Sequence, residues 1–98
     1  MKLKGSQRKF LRSLAHHLKP HVIVGKNKLS DSTIRYIDES LDIHELIKVK
    51  FNDNEYKALS KSLIEESVVC NIVGDIGKIL ILYRFQVDDE LRKIKIPK

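Results

Sequence analysis

The sequence predicts a single α/β domain in the order α-β-α-β-α-β-β, with a four-stranded mixed sheet and helices packed on its faces. Two observations lead there. Segments with apolar residues at helical spacing alternate with short strand-like runs, the pattern of βαβ units. The last two strand-like runs are separated only by Gly74-Asp75-Ile76-Gly77, which suits a hairpin and is too short for a crossover. A chain of 98 residues, 42% hydrophobic and 33% charged, has room for one core and one domain, spanning residues 1–98.

The first helix is expected at about residues 6–18, with Ser6 as N-cap and Phe10, Leu11, Leu14, Ala15 and Leu18 as its core stripe. Pro20 ends it, because the residue before a proline avoids the α region. Lys4, Arg8 and Arg12 follow each other at four-residue steps on another face, expected in solvent, and Lys19 continues near it. His21-Val22-Ile23-Val24 reads as a short buried strand stopped by Gly25. Ser30 can cap a helix over about 31–43, built on Ile34, Ile37 and Leu41, with Asp38, Glu39 and Asp42 as its acidic face. Residues 47–51 alternate as a strand with one solvated, basic face, and Asn52-Asp53-Asn54 is a turn. A third helix over about 55–67 would bury Tyr56, Leu59, Leu63 and Ile64.

Strands are then expected over 68–73 and 78–85. Ile79-Leu80-Ile81-Leu82 is apolar on both faces, which places the last strand centrally in the sheet. The folded core should span about residues 6–85. Beyond it lies a charged tail, about 88–98, expected to be loosely held, with Ile94 and Ile96 as the residues able to dock.

Charge is unevenly placed. Nineteen Lys and Arg against thirteen Asp and Glu give a net charge of +6. Residues 1–30 carry eight basic residues and no acid, residues 31–77 have a net charge of −5, and residues 78–98 a net charge of +3. Such a molecule is electrically polar, with one basic surface suited to a polyanion. No apolar run approaches the ~18 residues of a membrane span, and no apolar segment follows the basic N-terminus as in a signal peptide. Cys70 is the only cysteine, so no intrachain disulfide can form. A reducing cytosol is the expected address.

Catalytic constellations are not evident. His16, His17 and His21 cluster, but Pro20 interrupts the helical spacing that would bring two rings to one metal, and no acid or cysteine stands near. A histidinium at a helix C-terminus is the simpler role. His44-Glu45 could serve as an acid–base pair or simply form a surface strand entry. Cys70, in an apolar strand, reads as an inert core thiol. Ser-His-Asp, P-loop and dinucleotide signatures are missing. The loop Gly25-Lys26-Asn27-Lys28 combines a glycine that admits a phosphate, two cations and a following helix N-terminus, although Asp31 competes for the same terminus. The aromatics form no RNP1-like string. Tyr83-Arg84 could offer a stacking ring and a phosphate contact, or a buried tyrosine and a surface arginine.

Several segments together resemble the CRM domain of chloroplast RNA splicing and ribosome maturation proteins, and in particular the stand-alone bacterial YhbY family. They are Leu14-Ala15-His16-His17-Leu18-Lys19-Pro20, Val22-Ile23-Val24-Gly25, His44-Glu45-Leu46-Ile47-Lys48-Val49-Lys50, Ile76-Gly77-Lys78 and Leu82-Tyr83-Arg84, collinear from about residue 6 to 85. The resemblance implies a fold similar to the C-terminal domain of bacterial translation initiation factor three. It implies an RNA-binding protein, not an enzyme, that needs no cofactor and no metal and associates with precursors of the large ribosomal subunit. Its partners would be large-subunit rRNA and ribosomal proteins rather than a membrane, and it would act as a monomer in the cytoplasm.

The family has a Gly-x-x-Gly loop after the first strand, as in KH domains; here the second glycine is Lys28. The RNA role is therefore carried onto Gly25, Lys26 and Asn27, with Lys28 as a substitute contact. The basic helix face of Lys4, Arg8, Arg12 and Lys19, together with Arg84, completes the expected RNA-binding set. Two other readings stand beside this one: a protein-interaction module using the acidic middle, and an RNA-processing enzyme.

Overall fold

A computed structural model describes residues 2–25 and 29–98. Its elements are α1 (Gly5–Ala15), β1 (Val22–Val24), α2 (Asp31–His44), β2 (Leu46–Phe51), α3 (Asn54–Ser67), β3 (Asn71–Ile76) and β4 (Ile79–Tyr83). The sheet order is β1-β2-β4-β3, with β1 parallel to β2 and β4 antiparallel to both β2 and β3. The expected α-β-α-β-α-β-β order and mixed sheet are therefore observed. The continuous apolar run of β4 does take a central place, buried from both faces.

Alternation along the strands sends side chains to two separate cores. On one face, Ile47, Val49 and Phe51 of β2 and Leu80 and Leu82 of β4 pack under Ile37 and Leu41 of α2 and Ile64 of α3. On the other, Leu46, Val73, Ile81 and Tyr83 pack under Leu11 and Ala15 of α1. Burial of each such side chain stabilises the fold by about 1.5–3 kcal/mol.

Helix starts are fixed by their caps. The Ser30 hydroxyl accepts from Thr33 N at 3.2 Å, and Asp53 Oδ1 accepts from Tyr56 N at 2.7 Å. In α1 the N-cap is Lys4 and not Ser6; Gln7 Oε1 accepts from Lys4 N at 2.9 Å. That helix also ends earlier than Pro20 requires. The carbonyls just beyond it are taken by another element: Lys48 Nζ donates to Leu18 O at 2.9 Å and to His16 O, at the C-cap, at 3.4 Å. Lys48 is consequently half-buried, so the solvated face expected for β2 is open only at Lys50.

Further expectations are corrected. Leu59 and Leu63 are 70% and 38% exposed, while Lys57 and Ser60 of the same helix are buried. Leu14 of α1 likewise faces outward. The third strand begins at Asn71, three residues later than expected, because Val68 caps α3 and the hairpin turn is only Gly77-Lys78. Gly77 has φ 56°, which a glycine adopts without cost in such a two-residue turn. Gly74 is therefore a strand residue, beside a register irregularity between Ile72 and Gly74, and a Cβ there would lie 2.7 Å from Ile81 Cδ1. Finally, the C-terminal segment is docked. The buried Glu45 carboxylate accepts from Lys93 N at 2.7 Å and Ile94 N at 3.2 Å, and Ile94 and Ile96 pack against the α1-side core.

Candidate nucleic-acid interface

The candidate surface is built on α1, whose first turn contains no acidic residue. Arg8 and Arg12 do not stand freely in solvent as the helical spacing suggested. Each is half-buried against β3: Arg8 Nη1 donates to Ile72 O at 2.9 Å, and Arg12 Nη1 donates to Val73 O at 2.9 Å. A carbonyl orients a guanidinium without cancelling its charge, and four further N–H donors remain on each arginine. Lys4 and Lys19 are exposed. Lys19 lies beyond the helix end, so it extends the basic surface from the following turn rather than from the helix. Among the described residues, no ion pair involves Lys4, Arg8, Arg12 or Lys19.

The loop assignment is reached only in part. Gly25 is exposed, and a Cβ there would meet no atom within 4 Å, so the approach to its backbone is open. The roles assigned to Lys26, Asn27 and Lys28 fall outside the described residues.

Tyr83-Arg84 does not form a stacking and phosphate-binding pair. Tyr83 is completely buried, so its ring can stack on nothing from outside. Arg84 is held by α2: it pairs with Asp38 and, at 2.7 Å, with Asp42, and its Nε donates to Val69 O at 2.8 Å. Burial works against that guanidinium's charge, but the hydrogen bonds to the two carboxylates outweigh it and hold the group above its usual range. Arg84 is thus an internal tie and stands apart from the α1 surface.

The other residues weighed for chemistry separate in space. His16 and His17 touch edge to face, with ring centroids 5.4 Å apart, and His21 lies 4.7 Å from His44. No group of three or more His, Cys, Asp or Glu positioned to hold a metal occurs among the described residues. Burial, with the neighbouring His44, lowers the His21 pKa, so the ring favours its neutral form. His44 and Glu45 do not work as a pair: His44 is exposed, while Glu45 is buried and holds the C-terminal segment. Burial raises the Cys70 thiol to about 11, the property of an unreactive group, although Cys70 precedes β3 and is only half-buried.

On the opposite face, Lys57 and Lys61 of α3 both pair with Asp75, whose carboxyl they hold below its usual range chiefly through the Lys57 hydrogen bond. Lys57 also donates to Gly77 O, tying α3 to the β3–β4 turn. The helical pattern gave no hint of this buried lysine. Its signal, if any, lies in the pairing of Lys57 and Lys61 at i,i+4 with a lone acid near a turn.

No helix of the described residues is long and apolar enough to cross a membrane. Residues 3–84 match the model of the CRS1/YhbY (CRM) domain. The chain is 41% identical to an RNA-binding protein of Haemophilus influenzae, over 98% of this chain and 96% of that one. It is 37% identical to the Probable RNA-binding protein YqeI of Bacillus subtilis, over 97% and 99% of the two chains. The solution structure of the hypothetical protein SAV1595 from Staphylococcus aureus superposes with a TM-score of 0.79 at 32% identity, covering 98% of this chain and 100% of that one.

Proposed function

Because the chain belongs to the CRS1/YhbY (CRM) domain family, we propose that it is a cytoplasmic RNA-binding factor that grips rRNA of large-subunit precursors and assists their assembly. The observation that supports this most is the way α1 holds its cations. Arg8 and Arg12 are fixed to β3 by backbone carbonyls and meet no carboxylate among the described residues, so their geometry is set while their charge stays uncompensated there. Lys4 adds charge at the N-cap of the helix and Lys19 from the turn that follows it. Gly25, Lys26, Asn27 and Lys28 would add a second phosphate contact from the loop after β1. Contacts of this kind position an RNA by its backbone and read little sequence.

Crosslinking in cells, with mapping of the bound RNA and sedimentation of the extract, tests the proposal. The expected result is enrichment of large-subunit rRNA and co-migration with precursor particles. Crosslinks confined to messenger RNA, or migration only with free protein, would reject the ribosomal role. A complex that survives complete RNA digestion would instead favour the protein-interaction reading suggested by the acidic middle of the sequence, residues 31–77.

A further inference from the structure

The cross-strand register aligns Ile23 with Lys50, Lys50 with Ile79 and Ile79 with Ile76, a row that crosses all four strands. Ile79 packs in the α1-side core, and residues directly opposite each other share a face, so the whole row lies on the α1 side. The helix leaves that row uncovered. Ile23 is 73% and Ile76 62% exposed, Lys50 is exposed and Ile79 half-buried. Between the row and the helix runs a cleft of about 180 Å³, walled by Arg12 and His16 and floored by Lys48, Ile76, Ile79 and Ile81. The nearest acid in sequence, Asp75, is paired with Leu80 in the ladder and turned to the opposite face, where Lys57 and Lys61 hold it.

Resting on the RNA-binding reading above, we propose that this row is a platform for single-stranded RNA, with base faces on Ile23, Ile79 and Ile76 and phosphates on Lys50, Arg12 and His16. Four strands at their normal spacing span about 14 Å, and a four-stranded sheet of this width can take two or three bases. Exposed alkyl groups gain nothing from a phosphate; they gain from the flat faces of unstacked bases. A duplex keeps those faces stacked inside and cannot present them. The cations along one flank and in the middle of the row supply the charge complementarity, and the row continues the α1 surface without a break. It would give this protein a preference for single-stranded segments, which a grip on the backbone alone does not confer.

The test compares fluorescence anisotropy of a short labelled single-stranded RNA with that of a hairpin duplex, for the full chain and two variants. Replacing Ile23 and Ile76 together by Thr keeps β-branching and removes apolar surface. It should weaken single-strand binding roughly three- to tenfold, leave the salt slope unchanged and spare the duplex. Lys50→Gln should lower the salt slope for the single strand by about 0.7. Thermal unfolding within a few degrees of wild type keeps these readings about binding, since the replaced side chains are exposed. Single-strand binding unchanged in both variants, or an equal loss for the duplex, overturns the platform while leaving the RNA-binding reading intact. Wild type that binds neither RNA overturns that reading and the platform with it. Loss of poly-glutamate binding in the Thr variant, with RNA binding retained, would overturn it in favour of an acidic protein partner.

Discussion

On the α2 side of the sheet, Arg84, Lys57 and Lys61 each end on a carboxylate: Asp38 and Asp42 for the arginine, Asp75 for both lysines. On the α1 side, Arg8, Arg12 and Lys48 each end on a backbone carbonyl, of Ile72, Val73 and Leu18 respectively. Both arrangements satisfy donors and fix long side chains. Only the first removes net charge. The difference separates structural cations from those still able to attract a polyanion, and composition cannot make that distinction, since both sides use the same residue types.

The largest effect expected from breaking this contrast is at Arg84. Arg84→Met removes a guanidinium that joins β4 to α2 and to Val69 O, and leaves those acceptors without their donor. Urea unfolding should show a loss of about 1–3 kcal/mol. RNA affinity and its salt slope should stay at the wild-type value, because this cation is already neutralised. A shallower slope in Arg84→Met would mean that the two sides act electrically as one.

A smaller effect sharpens the contrast at His21, just before β1. The His21 pKa is lowered by burial and by His44 from its usual 6.5, so the folded state favours the neutral ring. As pH falls below that range, the unfolded chain takes up the proton first, and stability is lost as pH drops through the folded value. The thermal midpoint should therefore fall between pH 7.5 and 5.5, and His21→Asn, whose Oδ1 can stand in for Nδ1 against Lys48 N, should flatten that fall. An identical pH profile in the variant would remove His21 from the account.

Much of the fold was legible because its signals are local. Ser30 acts as a cap as its residue type suggests, and the β4 run is apolar on both faces because strands flank it on both sides. The failures share one cause: a partner distant in sequence decided the outcome. Leu59 and Leu63 have the right spacing for a core stripe, yet Lys57 is buried in their place because Asp75 and Gly77 O receive it. The tail is ordered by Glu45, 48 and 49 residues upstream of the amides it accepts. Gly74 was read as a turn, although an isolated glycine between apolar residues also marks a bulge or a close approach, which here is to Ile81.

The site divides the same way. The acid-free first helix was visible from charge alone. Its arginines' anchors on β3 were not, because no pattern in α1 reveals which carbonyls lie beneath it. Arg84 carried the same charge in sequence and proved to belong to the neutralised side. The row of Ile23, Lys50, Ile79 and Ile76 needs the strand register, which the misplaced end of β3 concealed, because it left Ile76 in a turn.

The contrast between the two sides is tested most directly by the salt dependence of RNA binding in the double variant Arg8→Gln/Arg12→Gln, measured by anisotropy on a single-stranded RNA. Glutamine can still reach toward the β3 carbonyls but carries no charge. If both guanidinium groups face phosphates, the log–log slope should become shallower by about 1.4, and affinity at low salt should fall. A double variant with the wild-type slope, or a wild type whose affinity does not respond to salt at all, would contradict the claim that the carbonyl-anchored cations of α1 hold the RNA backbone.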